Sequence, residues 1–137
     1  MAAPALRGDS LSFVDAYTAA EDEYVARVPA GLTSQESLYD SLFESLGFPD
    51  YFGFNFNALW DCLCDFSWME QRTIALIHED VPALPIVELG TYLEILDDAV
   101  AQWKTLENHS LRVVFPASSE EAVRFLLRRK PPREIER

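Results

Sequence analysis

The sequence predicts a small α/β domain, with a three-stranded parallel sheet packed against helices. Its 137 residues, 49% hydrophobic and 25% charged, are typical of one globular domain. Short apolar runs of strand length alternate with amphipathic segments of helical period. Strands separated by helices need crossover connections, which pair them in parallel. We therefore expect apolar helix faces to cover one side of the sheet.

The first half of the chain predicts one strand and one helix. Residues 11–20 are compatible with either a short strand or a helix. Residues 23–28 alternate in side-chain type and predict the first strand. The Thr-Ser-Gln-Glu run at residues 33–36 is a capping box that opens a helix. Gly47 ends this helix.

A second helix is predicted from the cap residue Asn55 to about residue 66. Asn57, Asp61 and Asp65, spaced by four, form its polar stripe opposite an apolar one. The isoleucine-rich run at residues 73–78 predicts a buried strand.

Residues 81–90 contain two prolines and predict a loop or a short turn. A second capping box, at residues 91–94, opens a helix that exposes Glu94, Asp97 and Asp98. Residues 111–115 predict the third strand.

The chain is predicted to be one domain over residues 1–137. Its sheet-and-helix core spans about residues 23–116. Residues 1–22 form an N-terminal extension, and residues 117–137 form a C-terminal helix, capped at Ser118, with a basic tail.

The charge of the chain limits its partners. There are 23 acidic and 11 basic residues, for a net charge of −12. Phosphate backbones and anionic membranes would be repelled, so we expect no direct nucleic-acid or membrane binding. A basic protein would be attracted. The alternative interpretation is an acidic surface kept for solubility.

Cysteine usage and the absence of targeting segments indicate a cytoplasmic protein. Cys62 and Cys64 are the only cysteines, and two residues apart on a helix they cannot form a disulfide with each other. We find no signal peptide and no apolar run of membrane-spanning length.

Catalytic and metal-binding signals are weak. Asp61, Asp65, Asp97 and Asp98 could act as acid–base pairs, but carboxylates on polar helix faces are usually only solvated. His78, followed by Glu79 and Asp80, lacks a third suitably spaced metal ligand, and a polar strand end is the favoured interpretation. No nucleophile or phosphate-loop motif occurs. We expect neither an enzyme nor a cofactor.

The segment at residues 49–63 is the most informative one. Trp60 lies at the border between the apolar and polar stripes, next to Asp61, and Tyr51 and Phe52 stand just upstream. Aromatic side chains beside carboxylates are typical of a protein–protein hot spot. The alternative is that Trp60 and Phe52 complete the core.

This segment closely resembles the signature of the barstar family, intracellular inhibitors of the ribonuclease barnase. The family pattern is P-x-Y-[YF]-G-x-N-x-[DN]-A-L-W-D-x-L. The order of predicted elements also agrees over roughly two thirds of the chain. The positions that match the pattern are Tyr51, Gly53, Asn55, Ala58, Leu59, Trp60 and Asp61.

The resemblance implies that the loop and the second helix plug a basic ribonuclease active site. In the family this helix offers two acids spaced by four; the second falls on Asp61, whereas the first falls on Asn57 and is missing. A further acid comes from the later helix, where Asp98 is the best counterpart and Asp97 its neighbour.

The resemblance also assigns the loop. Tyr51 and Phe52 match aromatic contact positions, and Gly53 matches the glycine that lets the loop backbone approach the enzyme. The predicted partner-binding set is Tyr51, Phe52, Gly53, Asn57, Trp60, Asp61, Asp65, Asp97 and Asp98.

We therefore expect an immunity protein that inhibits a basic toxin enzyme, a nuclease, in a one-to-one complex. Two alternatives stay open. One is a barstar-like adaptor for a non-nuclease protein, which gene neighbourhood would distinguish. The other is an acid–base enzyme using Asp61 and Asp98, which turnover would reveal.

Overall fold

Four parallel strands and four helices make up the part of the chain that the computed structural model describes, residues 8–128. The strands are β1 (Ser12–Phe13), β2 (Tyr24–Val28), β3 (Thr73–His78) and β4 (Ser110–Phe115). The helices are α1 (Gln35–Leu46), α2 (Phe56–Leu63), α3 (Ile86–Trp103) and α4 (Glu120–Arg128). The predicted α/β class with a parallel sheet is confirmed.

The sheet has one strand more than the sequence predicts. Its order is β1-β4-β3-β2, and every neighbouring pair is parallel. The extra strand, β1, sets Ser12 opposite Val114 and Phe13 opposite Phe115 at one edge. A strand of two residues is too short to show the alternation by which strands are predicted, so its segment remained ambiguous.

The direction of the crossovers places the core on one face of the sheet. From β2 to β3 to β4 the chain steps one way, so right-handed connections put α1, α2 and α3 on the same face. The connection from β1 to β2 runs the other way, which places it on the opposite face. There Tyr17 packs against Ala75, Ile77 and Val114.

Local capping fixes where α1 begins and ends. The Ser34 side chain accepts a hydrogen bond from the backbone N–H of Ser37, so the capping box lies one residue later than predicted. Gly47 ends the helix with a φ of 63°, a left-handed conformation that glycine adopts without strain. The predicted stop at Gly47 is confirmed.

The start of α3 was predicted wrongly. The helix begins at Ile86, directly after Pro85, and Thr91 lies inside it with its hydroxyl donating to the Val87 carbonyl at 3.1 Å. Proline has no N–H to satisfy and its fixed φ suits a helix start, so a residue read as a loop signal marks the beginning of the helix.

Two of the acids predicted to be exposed on α3 are buried. Glu94 and Asp97 are each 7% exposed, because this helix packs against both α2 and β4. The predicted solvent stripe of α3 is therefore wrong at these positions.

The C-terminal helix is partly described. A 3₁₀ turn (Ala117–Ser119) precedes α4, so Ser118 lies in the turn and does not cap α4 as predicted. Arg124 of α4 pairs with Glu120 at 2.9 Å and with Asp9 at 2.7 Å. Residues 129–137, most of the predicted basic tail, lie outside the described residues, as do residues 1–7 of the N-terminal extension.

Candidate functional site

The loop before α2 is held by the cap of that helix. The side chain of Asn55 accepts a hydrogen bond from the Ala58 N–H at 2.8 Å and donates one to the Gly53 carbonyl at 3.1 Å. One amide thus joins the loop to the first turn of α2. We call residues 50–65 the loop–helix surface.

Gly53 fits closely into this arrangement. Its φ is not in the left-handed region, but an added Cβ would lie 3.2 Å from Nδ2 of Asn55 and 3.7 Å from the Cβ of Ala58. A larger residue would push against the cap. The structure therefore gives Gly53 a role inside the loop, apart from any approach of a partner.

Tyr51 and Asp65 join the two ends of the loop–helix surface. Tyr51 is 66% exposed, and its hydroxyl donates to Oδ2 of Asp65 at 2.8 Å. Ser67 donates to the same oxygen at 3.3 Å. The hydrogen bond to Asp65 raises the pKa of Tyr51 to about 12. Asp65 therefore orients the phenol ring of Tyr51.

Phe52 and Trp60 belong to the core. Each is 3% exposed. The Phe52 ring lies 4.8 Å from that of Phe48 and 6.0 Å from that of Tyr39. In the free protein both side chains pack in the core, which is the alternative that the sequence left open.

Phe54 is exposed instead, although the sequence did not single it out. Its side chain is 43% exposed, and its φ of 52° is in the left-handed region. The run Phe52-Gly53-Phe54 has no periodicity that shows which ring turns inward. Only the folded loop distinguishes them.

Asn57 and Asp61 lie on the exposed side of α2, one turn apart. Their neighbours Leu59 and Leu63 are fully buried on its other side. The predicted polar stripe of this helix thus faces outward at both positions, and it offers one amide and one carboxylate.

The acids of α3 are less accessible. Oδ2 of Asp97 accepts a hydrogen bond from the Gly8 N–H at 3.1 Å, a contact that ties the N-terminal segment to α3. Asp98 is half-buried. Helix α3 packs beside α2, with Nε1 of Trp103 donating to the Leu63 carbonyl at 2.7 Å.

His78 ends β3, as the sequence predicts, but its side chain is buried in the core. Its Nδ1 lies 3.1 Å from the Val114 carbonyl, its Nε2 lies 2.7 Å from the Tyr92 hydroxyl, and its ring stacks on Phe115 at 4.0 Å. Burial lowers its pKa to about 3. Among residues 8–128, no three His, Cys, Asp or Glu side chains are grouped to hold a metal ion.

Three clefts formed by the described residues lie away from the loop–helix surface. One of about 380 Å³ lies at the carboxyl ends of the strands and includes Asp15, Arg27 and Glu79. None of the predicted partner-binding residues lines it. The loop–helix surface presents side chains outward, which suits contact with another protein.

Comparison with known proteins decides the family. Residues 25–116, more than half of the chain, match the family described as Barstar (barnase inhibitor). The chain belongs to the barstar family. It is also 61% identical over 74 residues to a Bacillus subtilis (strain 168) protein named "Putative ribonuclease inhibitor YrdF", an alignment that covers 50% of this chain and 76% of the relative.

The barstar-family match includes the whole loop–helix surface and the strands β3 and β4. It also includes α3, so the predicted contact acids Asp61, Asp65, Asp97 and Asp98 all lie within it. Within the described part of the chain, no helix combines the length and apolar character needed to cross a membrane.

Proposed function

We propose that the protein is a stoichiometric inhibitor that occludes the basic active site of a toxic nuclease, a ribonuclease, through the loop–helix surface. The observation that carries the proposal is the outward placement of Asp61 on α2, one turn from Asn57 and on the same surface as the exposed Tyr51. An aromatic side chain beside a carboxylate is typical of a binding hot spot.

The charge of the chain supports this role. A ribonuclease site is positively charged because it binds phosphate, and charge-assisted hydrogen bonds to a carboxylate are strong. The net charge of −12 would attract such an enzyme over a long range. Barnase and barstar themselves are the standard example of this steering, and we carry over no magnitude from them.

Within the proposed interface the residues have different roles. Tyr51, Asn57 and Asp61 make direct contacts, while Gly53 and Asp65 hold the loop and the phenol in place. Asp98 lies at the margin. Three buried side chains hold in place the elements that carry the contact residues; they are Phe52, Trp60 and Asp97.

The biological setting follows from the same proposal. The reduced thiols of Cys62 and Cys64 suit a reducing cytoplasm, where an immunity protein, or antitoxin, of a bacterial cell would meet its toxin. The relative's name, "Putative ribonuclease inhibitor YrdF", points to the same class of protein. We propose a one-to-one complex for this chain too.

The test is capture followed by titration. The tagged chain is used to isolate its partner from the cells that encode it, and the nuclease activity of the purified partner is titrated with the chain. We expect activity to fall linearly to zero at an equimolar ratio. A partner without nuclease activity would support the adaptor alternative and end this proposal.

A charge-matched pair of variants sharpens the titration. Asp61→Asn removes one charge from the loop–helix surface, and Glu121→Gln removes one from an exposed position of α4. We expect the first to impair inhibition and the second to leave it unchanged. Equal effects would indicate that only the overall charge matters.

A further inference from the structure

Phe54 combines two features that the fold alone does not require. It is a large aromatic side chain with 43% of its surface exposed, on a loop that also carries the exposed Tyr51. It also holds a φ of 52°, in the left-handed region where a bulky residue is an outlier. Glycine or asparagine would adopt this backbone more easily.

Strained backbone of this kind persists where the surrounding structure imposes it, and it concentrates at functional sites. Here the cap imposes it, because Asn55, the next residue, is bonded both to Gly53 and to Ala58. A residue suited to the conformation would relieve the strain. Contacts of the phenylalanine ring must therefore offset it, as core packing does for the fully buried Phe66, whose φ is 50°.

Packing accounts for one side of the ring. The Phe54 ring stacks on Phe43 at 5.4 Å between centroids and lies 4.8 Å from Phe52. These contacts hold the ring in one orientation while part of it stays open to solvent. A pre-ordered aromatic side chain loses little conformational entropy on binding, which is what an interface anchor needs.

We propose that Phe54 is a specificity-determining anchor of the loop–helix surface, which inserts into an apolar or aromatic-lined recess beside the basic centre of the partner nuclease. The inference rests on the proposed inhibitor function. Nuclease clefts offer such recesses because they bind bases by stacking as well as phosphates by charge. Phe54 and Asp61 together would match both kinds of subsite.

The experiment uses the nuclease purified on the wild-type chain as its probe. Phe54→Asn keeps the left-handed backbone, since asparagine tolerates it, and removes the ring. We expect its dissociation constant to rise at least about tenfold, mainly through faster dissociation. Phe54→Tyr should bind close to wild type. Phe125→Gln, which removes an exposed ring from α4, is the matched control and should also bind like wild type.

Thermal melting separates binding from folding. We expect Phe54→Asn to melt close to wild type; if it fails to fold, Phe54→Leu replaces it. Leucine keeps apolar contact with Phe43 and Phe52 but lacks the aromatic face, so its affinity should fall measurably. Wild-type affinity in every folded variant would overturn the inference while leaving the inhibitor function intact. A wild-type chain that does not inhibit the nuclease would instead overturn the function itself.

Discussion

The hydroxyl of Tyr51 donates a 2.8 Å hydrogen bond to Oδ2 of Asp65, fourteen residues further along the chain. This contact connects the loop before α2 with the segment after it, on the outside of the protein. It fixes an exposed aromatic ring beside Asp61 before any partner arrives. The pKa of Tyr51 reports on it directly.

The first prediction concerns that hydrogen bond. Because the neutral phenol donates to a carboxylate, the pKa of Tyr51 is raised from 10 to about 12. Asp65→Asn should lower it towards 10. Ultraviolet titration of wild type and Asp65→Asn, each compared with its Tyr51→Phe counterpart, isolates the Tyr51 signal. An unchanged Tyr51 midpoint in Asp65→Asn would show that the bond does not form in solution.

The second prediction concerns Asp61 as the main contact. Since Asp61 is exposed on α2, Asp61→Ala should leave the melting temperature near that of wild type. Its affinity for the nuclease should fall by about 2 kcal/mol or more, the usual threshold for a hot spot. Calorimetric titration and thermal melting measure the two effects separately. If the variant unfolds, or if it still inhibits the nuclease fully, α2 is not the element that contacts the partner.

The third prediction concerns the buried pair His78 and Tyr92. The Val114 carbonyl can only accept, so Nδ1 of His78 carries the proton and Nε2 accepts from the Tyr92 hydroxyl. The folded-state pKa is about 3, against 6.5 for an unperturbed imidazole. On acidification the unfolded state binds the proton first. This histidine therefore favours folding fully above pH 6.5 and progressively less towards pH 3.

The expected loss from His78 is up to about 1.4 kcal/mol of unfolding free energy per pH unit in that window. Nitrogen-15 NMR of the imidazole should show the neutral Nδ1–H form from pH 7 down to pH 4. Denaturant unfolding over the same range should show the fall in stability. A protonated His78 signal at pH 5 in the folded protein would contradict the buried arrangement.

The sequence predicted the three longer strands better than it predicted the helix starts or the direction of individual side chains. The strand over residues 73–78 was predicted without error because continuous burial on both faces leaves a clear apolar run. The start of α3 was missed because Pro85 breaks a helix in its interior but suits its beginning. Local sequence does not distinguish these two positions.

Burial of particular side chains depends on contacts that the sequence does not contain. Phe52 and Phe54 are two residues apart in a loop without period, and only the aromatic cluster around Phe48 decides that the first turns inward. Asp97 looked like a solvent residue because its distant partner, Gly8, lies 89 positions away. The outward positions of Asn57 and Asp61 were predictable because a helix has a regular period.

The fourth prediction concerns long-range attraction. With a net charge of −12 against a basic enzyme, association should slow as salt is raised, while dissociation changes much less. Stopped-flow measurements between low and moderate ionic strength provide both rate constants. An association rate that does not depend on salt would contradict electrostatic steering. It would leave the proposed inhibitor function unaffected.

The last prediction concerns Asn57, an amide that stands where the resemblance implies the first of two acids on this helix. Asn57 is the second residue of α2, so a carboxylate there would gain about 0.3–1 kcal/mol from the helix N-terminus and lose a few tenths by repulsion from Asp61. Asn57→Asp should therefore fold normally, so a change in its affinity for the nuclease reports on the interface alone.

A barnase-like basic pocket would bind the Asn57→Asp variant more tightly than wild type. The gain in affinity would be reduced by the cost of desolvating the added carboxylate. We expect the opposite, a weakening of about 1–3 kcal/mol, because the amide can donate a hydrogen bond that a carboxylate cannot. A chain this acidic does not lack carboxylates, which favours an amide matched to its partner. A clear gain in affinity on titration would instead show that the pocket has kept the barnase-like charge.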